Sequence, residues 1–144
     1  MKRYTLGFIF NATLDKVLLI HKLKPEWQRG KVNGPGGKIE PGEDSLDCVV
    51  REIEEETALK TQKEKWVYVG KQNSPEFDVE TFAYIYEGDM NDAQSAEDQK
   101  VEWFDVKNLP SNIIDNLSWL IPLSRDMINE NKDYKLKSFS AEYF

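Results

Sequence analysis

The sequence predicts an α+β domain in which a mixed β-sheet is flanked by two helices, the layer order of an α/β/α sandwich. Three observations carry this. Several short runs rich in β-branched and aromatic residues are bounded by turn formers. Two further stretches have the apolar spacing or length of helices, one in the first half of the chain and one near its end. The 144 residues, 40% of them hydrophobic and 12% aromatic, suffice to fill the core of one domain.

Tyr4 to Phe10 and Lys16 to His21 read as two strands joined by the turn formers Asn11 to Asp15. Residues 24–42 carry Pro25, Gly30, Asn33-Gly34-Pro35-Gly36-Gly37 and Pro41-Gly42, too many breakers for a long helix or strand. From Asp44 to Thr57, Leu46, Val49, Val50 and Ile53 recur with helical period, and Asp44 or Ser45 can cap the N-terminus. Strands are expected at 65–70, 78–87 and 100–106, with an acidic, mobile loop from Gly88 to Asp98. A second helix is expected from Asn116 to Asn129, with Pro122 kinking it or starting its main segment. The tail after Lys132 shows no period, and no internal repeat or low-complexity linker divides the chain.

Composition excludes several classes. Nineteen Lys and Arg against 26 Asp and Glu give a net charge of −7, which argues against nucleic acid as a partner held by broad electrostatics. Seventeen aromatic residues argue against disorder. The lone Cys48 cannot form an internal disulfide, and no apolar stretch reaches the roughly 20 residues that cross a bilayer. The expectation is a soluble, cytoplasmic protein with no membrane partner, a monomer or homodimer.

Chemistry concentrates on the first helix. Glu52, Glu55 and Glu56 stand at i, i+3 and i+4, one patch turned away from Leu46, Val50 and Ile53. Like charges at that spacing weaken a helix, but a hard divalent cation such as Mg²⁺ or Mn²⁺ takes oxygen ligands of this kind. Arg51 lies one turn before Glu55 and can orient it. A solvated acidic face would explain the glutamates alone. It does not explain Gly37, five residues, Glu43, seven residues, then Arg51-Glu52-Ile53-Glu54-Glu55-Glu56-Thr57-Ala58-Leu59. This run resembles the signature box of the Nudix hydrolases, Gly-x5-Glu-x7-Arg-Glu-U-x-Glu-Glu-x-Gly-U with U aliphatic, here at residues 37–59. Six identities by chance are on the order of one in a million. The departure is Ala58, where the box has glycine; a left-handed helix terminus suits glycine, and alanine takes it at roughly 1 kcal/mol.

The resemblance implies a single Nudix domain over residues 1–144 with the α/β/α sandwich fold and hydrolysis of a nucleoside diphosphate linked to another moiety. It implies Mg²⁺, with Mn²⁺ as the alternative, held by Glu52, Glu55, Glu56 and the Gly36 carbonyl, while Glu43 and Arg51 orient them. It further implies a carboxylate from a later loop, here Glu97, with Asp98 beside it, as metal ligand or general base. Lys38 follows the glycines and can reach a phosphate oxygen.

Within the family the first 60 residues look most like the MutT-type 8-oxo-dGTP diphosphatases, through Tyr4-Thr5-Leu6 and Asn33-Gly34-Pro35-Gly36-Gly37-Lys38. That likeness assigns Thr5 and Asn33 to the small-molecule nucleotide substrate, with Asn33 on the purine edge, and puts Trp27, Trp66 and Phe77 around the base. Asp115 stands where the subfamily has a Trp followed by paired aspartates, which this sequence lacks. Lys22, Lys24, Arg29, Lys31 and Lys38 form a basic rim suited to a polyanion. The reading is therefore a Mg²⁺-dependent hydrolase taking 8-oxo-dGTP or a related nucleoside triphosphate to monophosphate and pyrophosphate. Pro75, sixteen residues past the box, supports ADP-ribose as the alternative substrate. A noncatalytic nucleotide sensor is the remaining reading, opposed by the intact glutamates.

Overall fold

A computed structural model describes residues 1–95 and 98–144. Chain order is β1 (Lys2–Asn11), β2 (Lys16–His21), β3 (Val32–Asn33), β4 (Gly36–Lys38), α1 (Ser45–Thr57), β5 (Val67–Asn73), β6 (Phe77–Tyr86), β7 (Val101–Asp105), α2 (Leu117–Ile128) and β8 (Phe139–Glu142). The described strands form one sheet in the order β3-β2-β1-β6-β5-β8, with β4 paired to β1 and β7 to β2. It is mixed: β1 runs parallel to β6 from Lys2/Phe77 to Asn11/Tyr86, and antiparallel to β2 and β4.

Alternation along β1 and β2 decides which layer each residue meets. Leu6, Phe8, Phe10, Val17 and Leu19 point to one face and pack with Leu117, Leu120 and Ile121 of α2. Ile9 and Leu18 point to the other and pack with Val49 and Ile53 of α1. Both faces of the central strands are therefore buried, which explains why these strands are apolar runs.

The helix α1 starts where capping chemistry puts it. Asp44 is extended, and its carboxylate accepts from the Asp47 amide at 2.7 Å. Its end is Ala58, left-handed at φ 65°, ψ 0°, with its amide on the Glu54 carbonyl at 3.0 Å. The helix α2 runs on through Pro122, which neither starts nor ends it.

Three segments differ from expectation. Residues 24–42 hold a 3-10 turn, Glu26–Gln28, and two short strands whose pairing to β2 and β1 no local pattern announces. The tail after Lys132 supplies β8, which adds parallel to β5 from Gly70/Phe139 to Asn73/Glu142. The loop expected to be mobile is tethered in its described part. Trp103 Nε1 donates to the Met90 carbonyl at 2.9 Å, Tyr86 hydroxyl to Asp92 at 2.5 Å, and the Gln94 amide to the Thr57 carbonyl at 2.8 Å.

Candidate active site

The glycine strand and the carboxylate helix are pressed together. The strand β4 pairs with β1 through Tyr4/Lys38, Thr5/Gly37 and Leu6/Gly36. A side chain on Gly36 would overlap the Thr5 carbonyl, and one on Gly37 would overlap the Glu52 carboxylate. Gly36 is therefore required by close approach to backbone, a Cβ at Gly37 would instead push the Glu52 carboxylate out of place, and the approach lets the Gly36 amide donate to Glu56 Oε1 at 3.0 Å.

Arg51 is the hub of the cluster. Its Nε and Nη2 donate to the two oxygens of Glu43 at 2.8 and 3.0 Å, a bidentate pair. Its Nη1 reaches Glu52 at 2.9 Å and Glu55 at 3.3 Å, and Nη2 also donates to the Lys38 carbonyl at 3.3 Å. The guanidinium beside Glu43 holds that carboxyl down at about 2, and Glu43 in turn keeps Arg51 protonated well above its ordinary range. The far oxygen of Glu43 also accepts the Glu40 amide at 3.0 Å, which fixes the loop entering α1.

Glu56 is the exception to this neutralisation. Only 6% exposed, it has its carboxyl pushed up to about 8, chiefly by burial, with Glu52 adding to the shift and the Gly36 amide and Lys22 opposing it. Burial likewise raises Glu52, against the pull of Arg51. Among the described residues no three His, Cys, Asp or Glu side chains are gathered closely enough to hold a cation as they stand, since Arg51 holds Glu52 and Glu55 instead. The donor set nevertheless fits a hard divalent ion. Glu56 is buried without an ion-pair partner among the described residues, the half-buried Glu52 stands beside it, and both are oxygen donors of the kind Mg²⁺ and Mn²⁺ take.

The other residues named from sequence are dispersed. Lys38 is exposed beside the cluster and contributes its carbonyl to Arg51. Asn33 is half-buried; its Nδ2 donates to Gln28 at 3.1 Å, and its Oδ1 accepts its neighbour Gly34's amide. Trp27 is 66% exposed on the 3-10 turn. Phe77 is part-exposed and packs edge-on against Tyr4. Trp66 departs from expectation: it is buried beneath α1 against Val49 and Ile53, packs against Tyr84 with ring centroids 4.9 Å apart and tilted 44°, and donates to Thr61, so it has no face to offer a base. Thr5 is also enclosed, facing α1 with its hydroxyl 3.3 Å from Cys48 Sγ. Asp115 is exposed, and its carbonyl accepts the Ser118 hydroxyl ahead of α2. Glu97 lies outside the described residues. Its neighbour Asp98 is exposed.

Two features had no sequence signal. Lys22 acts on Glu56 through the fold alone, and Gln28 anchors Asn33 across a loop rather than along a periodic element.

With this geometry the family follows. The NUDIX domain model matches residues 1–126, and the chain belongs to that family. It is 35% identical over 105 residues to an ADP-ribose pyrophosphatase of Methanocaldococcus jannaschii, covering 71% of this chain and 62% of that protein. It is 35% identical over 98 residues to an NAD-capped RNA hydrolase NudC of Pseudomonas putida, covering 67% of this chain and 34% of that one. Among solved structures, the mutator MutT protein of Bacillus halodurans superposes with a TM-score of 0.70 at 26% identity, over 99% of this chain and 90% of that one. The chain thus spans less than two thirds of these curated relatives. None of its described helices is long and apolar enough to cross a membrane.

Proposed function

We propose that this protein is a Mg²⁺-dependent Nudix pyrophosphohydrolase that cuts a nucleoside triphosphate, 8-oxo-dGTP or a related nucleotide, to monophosphate and pyrophosphate. The observation that carries the reading is Glu56, buried beside the half-buried, Arg51-paired Glu52, placed by the Gly36-Gly37 strand and itself without an ion-pair partner among the described residues. A structural acidic face would be exposed and solvated; burying one carboxylate against another is unfavourable unless a cation joins them.

Mg²⁺ held there would supply charge neutralisation on the phosphates and would lower the pKa of an attacking water. The chain's own residues do the rest. Glu52, Glu55 and Glu56 offer the oxygens, with the Gly36 carbonyl and Glu97 completing the set in this proposal. Arg51, clamped on Glu43, fixes the helix face that presents them. Lys22 and Lys38 offer positive charge to phosphate oxygens, and Asn33 offers an amide to the base edge.

ADP-ribose is the second reading, supported by the Methanocaldococcus jannaschii relative. The full-length match to the Bacillus halodurans MutT protein supports the nucleoside triphosphate. A hydrolysis screen over 8-oxo-dGTP, the ordinary nucleotides and ADP-ribose, with and without Mg²⁺, tests both. Preference for a nucleoside triphosphate with pyrophosphate released is expected. Preference for ADP-ribose would move the substrate but keep the site. Glu56→Gln should lower kcat at least 100-fold with the circular dichroism spectrum retained; a near-normal rate would overturn the carboxylate assignment.

A further inference from the structure

The strands β2 and β7 part just beyond their paired residues. Their antiparallel register runs from Lys16/Asp105 to Ile20/Val101, and the His21 amide then donates to the Lys100 carbonyl at 2.8 Å. The next amide on that side is Leu23, which in continued register would meet the Asp98 carbonyl. It donates instead to the side chain of Gln99, to Oε1 at 2.8 Å, and the Lys24 amide approaches the same oxygen at 3.4 Å. Gln99 is buried, so its amide oxygen stands in for the main chain out of water. The exchange lets the segment with Asp98 leave the sheet. A cavity of about 280 Å³ lies there, lined by Leu23 and Lys24 from one segment and by Asp98 and Gln99 from the other.

Lys22 depends on this arrangement. Its amide donates to the Lys31 carbonyl at 2.8 Å and its carbonyl accepts the Gly30 amide at 3.0 Å, so both backbone groups go to an exposed turn. On the cavity side Leu23 is 43% exposed, and the bond to Gln99 is the fixed point. The Lys22 side chain is half-buried and has no ion-pair partner among the described residues, although its charge opposes the upward push on the Glu56 carboxyl. An ammonium so placed is available to an anionic ligand that reaches the carboxylate centre.

We infer that Gln99 is a positioning residue for phosphate binding: its side-chain oxygen, in place of a backbone carbonyl, fixes residues 22–24 and so holds the Lys22 ammonium at the carboxylate centre, where phosphate oxygens arrive. The inference rests on the phosphate-cleaving reading above. Without that acceptor the Leu23 amide turns to water in the cavity beside it, and Lys22 moves with its neighbour. A small displacement of a charge from its phosphate partner weakens binding without unfolding the domain.

The probe is inorganic pyrophosphate with Mg²⁺ present, its binding followed by calorimetry for the full chain, Gln99→Met, Lys22→Met and the double variant. Methionine keeps the length of the side chain and removes the acceptor. Gln99→Met should weaken binding about five- to tenfold and Lys22→Met at least as much, while Gln99→Met should add less than about twofold once Lys22 is gone. A Gln99 that only braces the fold would cost the same in both backgrounds, so additive effects overturn the inference. Unchanged binding in either single variant, or no binding by the unsubstituted chain, overturns it as well. Hydrogen exchange supplies a test that needs no variant to fold: the Leu23 amide should exchange at least about 100-fold more slowly than an unprotected amide. Exchange at the unprotected rate would overturn the clamp. Coupling between Gln99 and Lys22 with no triphosphate cut supports the inference and overturns the proposed activity; hydrolysis with additive effects does the reverse.

Discussion

Ala58→Gly isolates the one residue at which this chain departs from the box pattern. Ala58 ends α1 at φ 65°, ψ 0°, two residues after the buried Glu56. A left-handed residue with a Cβ costs about 1–2 kcal/mol, and glycine removes that strain. Glycine also gives the unfolded chain more freedom, worth about 0.4–1 kcal/mol in the other direction. Ala58 is exposed, so no packing is lost, and the net expectation is a gain of about 0.5–1 kcal/mol. For a chain of this size that raises Tm by roughly 1–4 °C, measurable by calorimetry and by the urea midpoint at constant slope. Leu14 provides the contrast. It too is left-handed, at φ 61°, but its side chain packs against the α2 core, so Leu14→Gly should lose stability by about 1 kcal/mol or more. If Ala58→Gly destabilises, relief of backbone strain does not outweigh the entropy of glycine; if both substitutions stabilise, the packing of Leu14 does not outweigh its strain.

Arg51→Gln leaves Glu43, Glu52 and Glu55 without their shared partner, so kcat/KM should fall at least tenfold and half-saturation with Mg²⁺ should move to higher concentration. An unchanged metal titration would show that the hub does not organise the cluster. Cys48 is enclosed between α1 and β1, and burial pushes its thiol up to about 11, so almost none is thiolate at pH 8. An aromatic disulfide reagent should react with it only after denaturation, releasing one equivalent; rapid reaction in the native protein would show that the helix opens away from β1.

Much of this protein is written in local pattern. The spacing of Leu46, Val49, Val50 and Ile53 makes α1, Asp44 starts it, and the 3.6-residue period alone puts Glu52, Glu55 and Glu56 on one face. The glycines at 36 and 37 are visible as a motif, although the reasons, the approach of Gly36 to the Thr5 backbone and the room Gly37 leaves for the Glu52 carboxylate, are tertiary. A left-handed terminus at Ala58 followed from the box position and is present.

Other features depend on which residues meet across the chain. Trp66 and an exposed base-flanking tryptophan look alike in sequence, and only the crossing of α1 over the sheet buries this one. Thr5 turns to α1 because strand parity, set by the long parallel pairing with β6, sends it there. The tail has no period because a four-residue edge strand is specified by its partner β5 more than by its own sequence. Glu52, Glu55 and Glu56 could be named without the fold. That Glu56 is buried beside an amide while Glu55 stays half in water was decided by where β4 lies, since burial is a property of neighbours and the helical period fixes only direction.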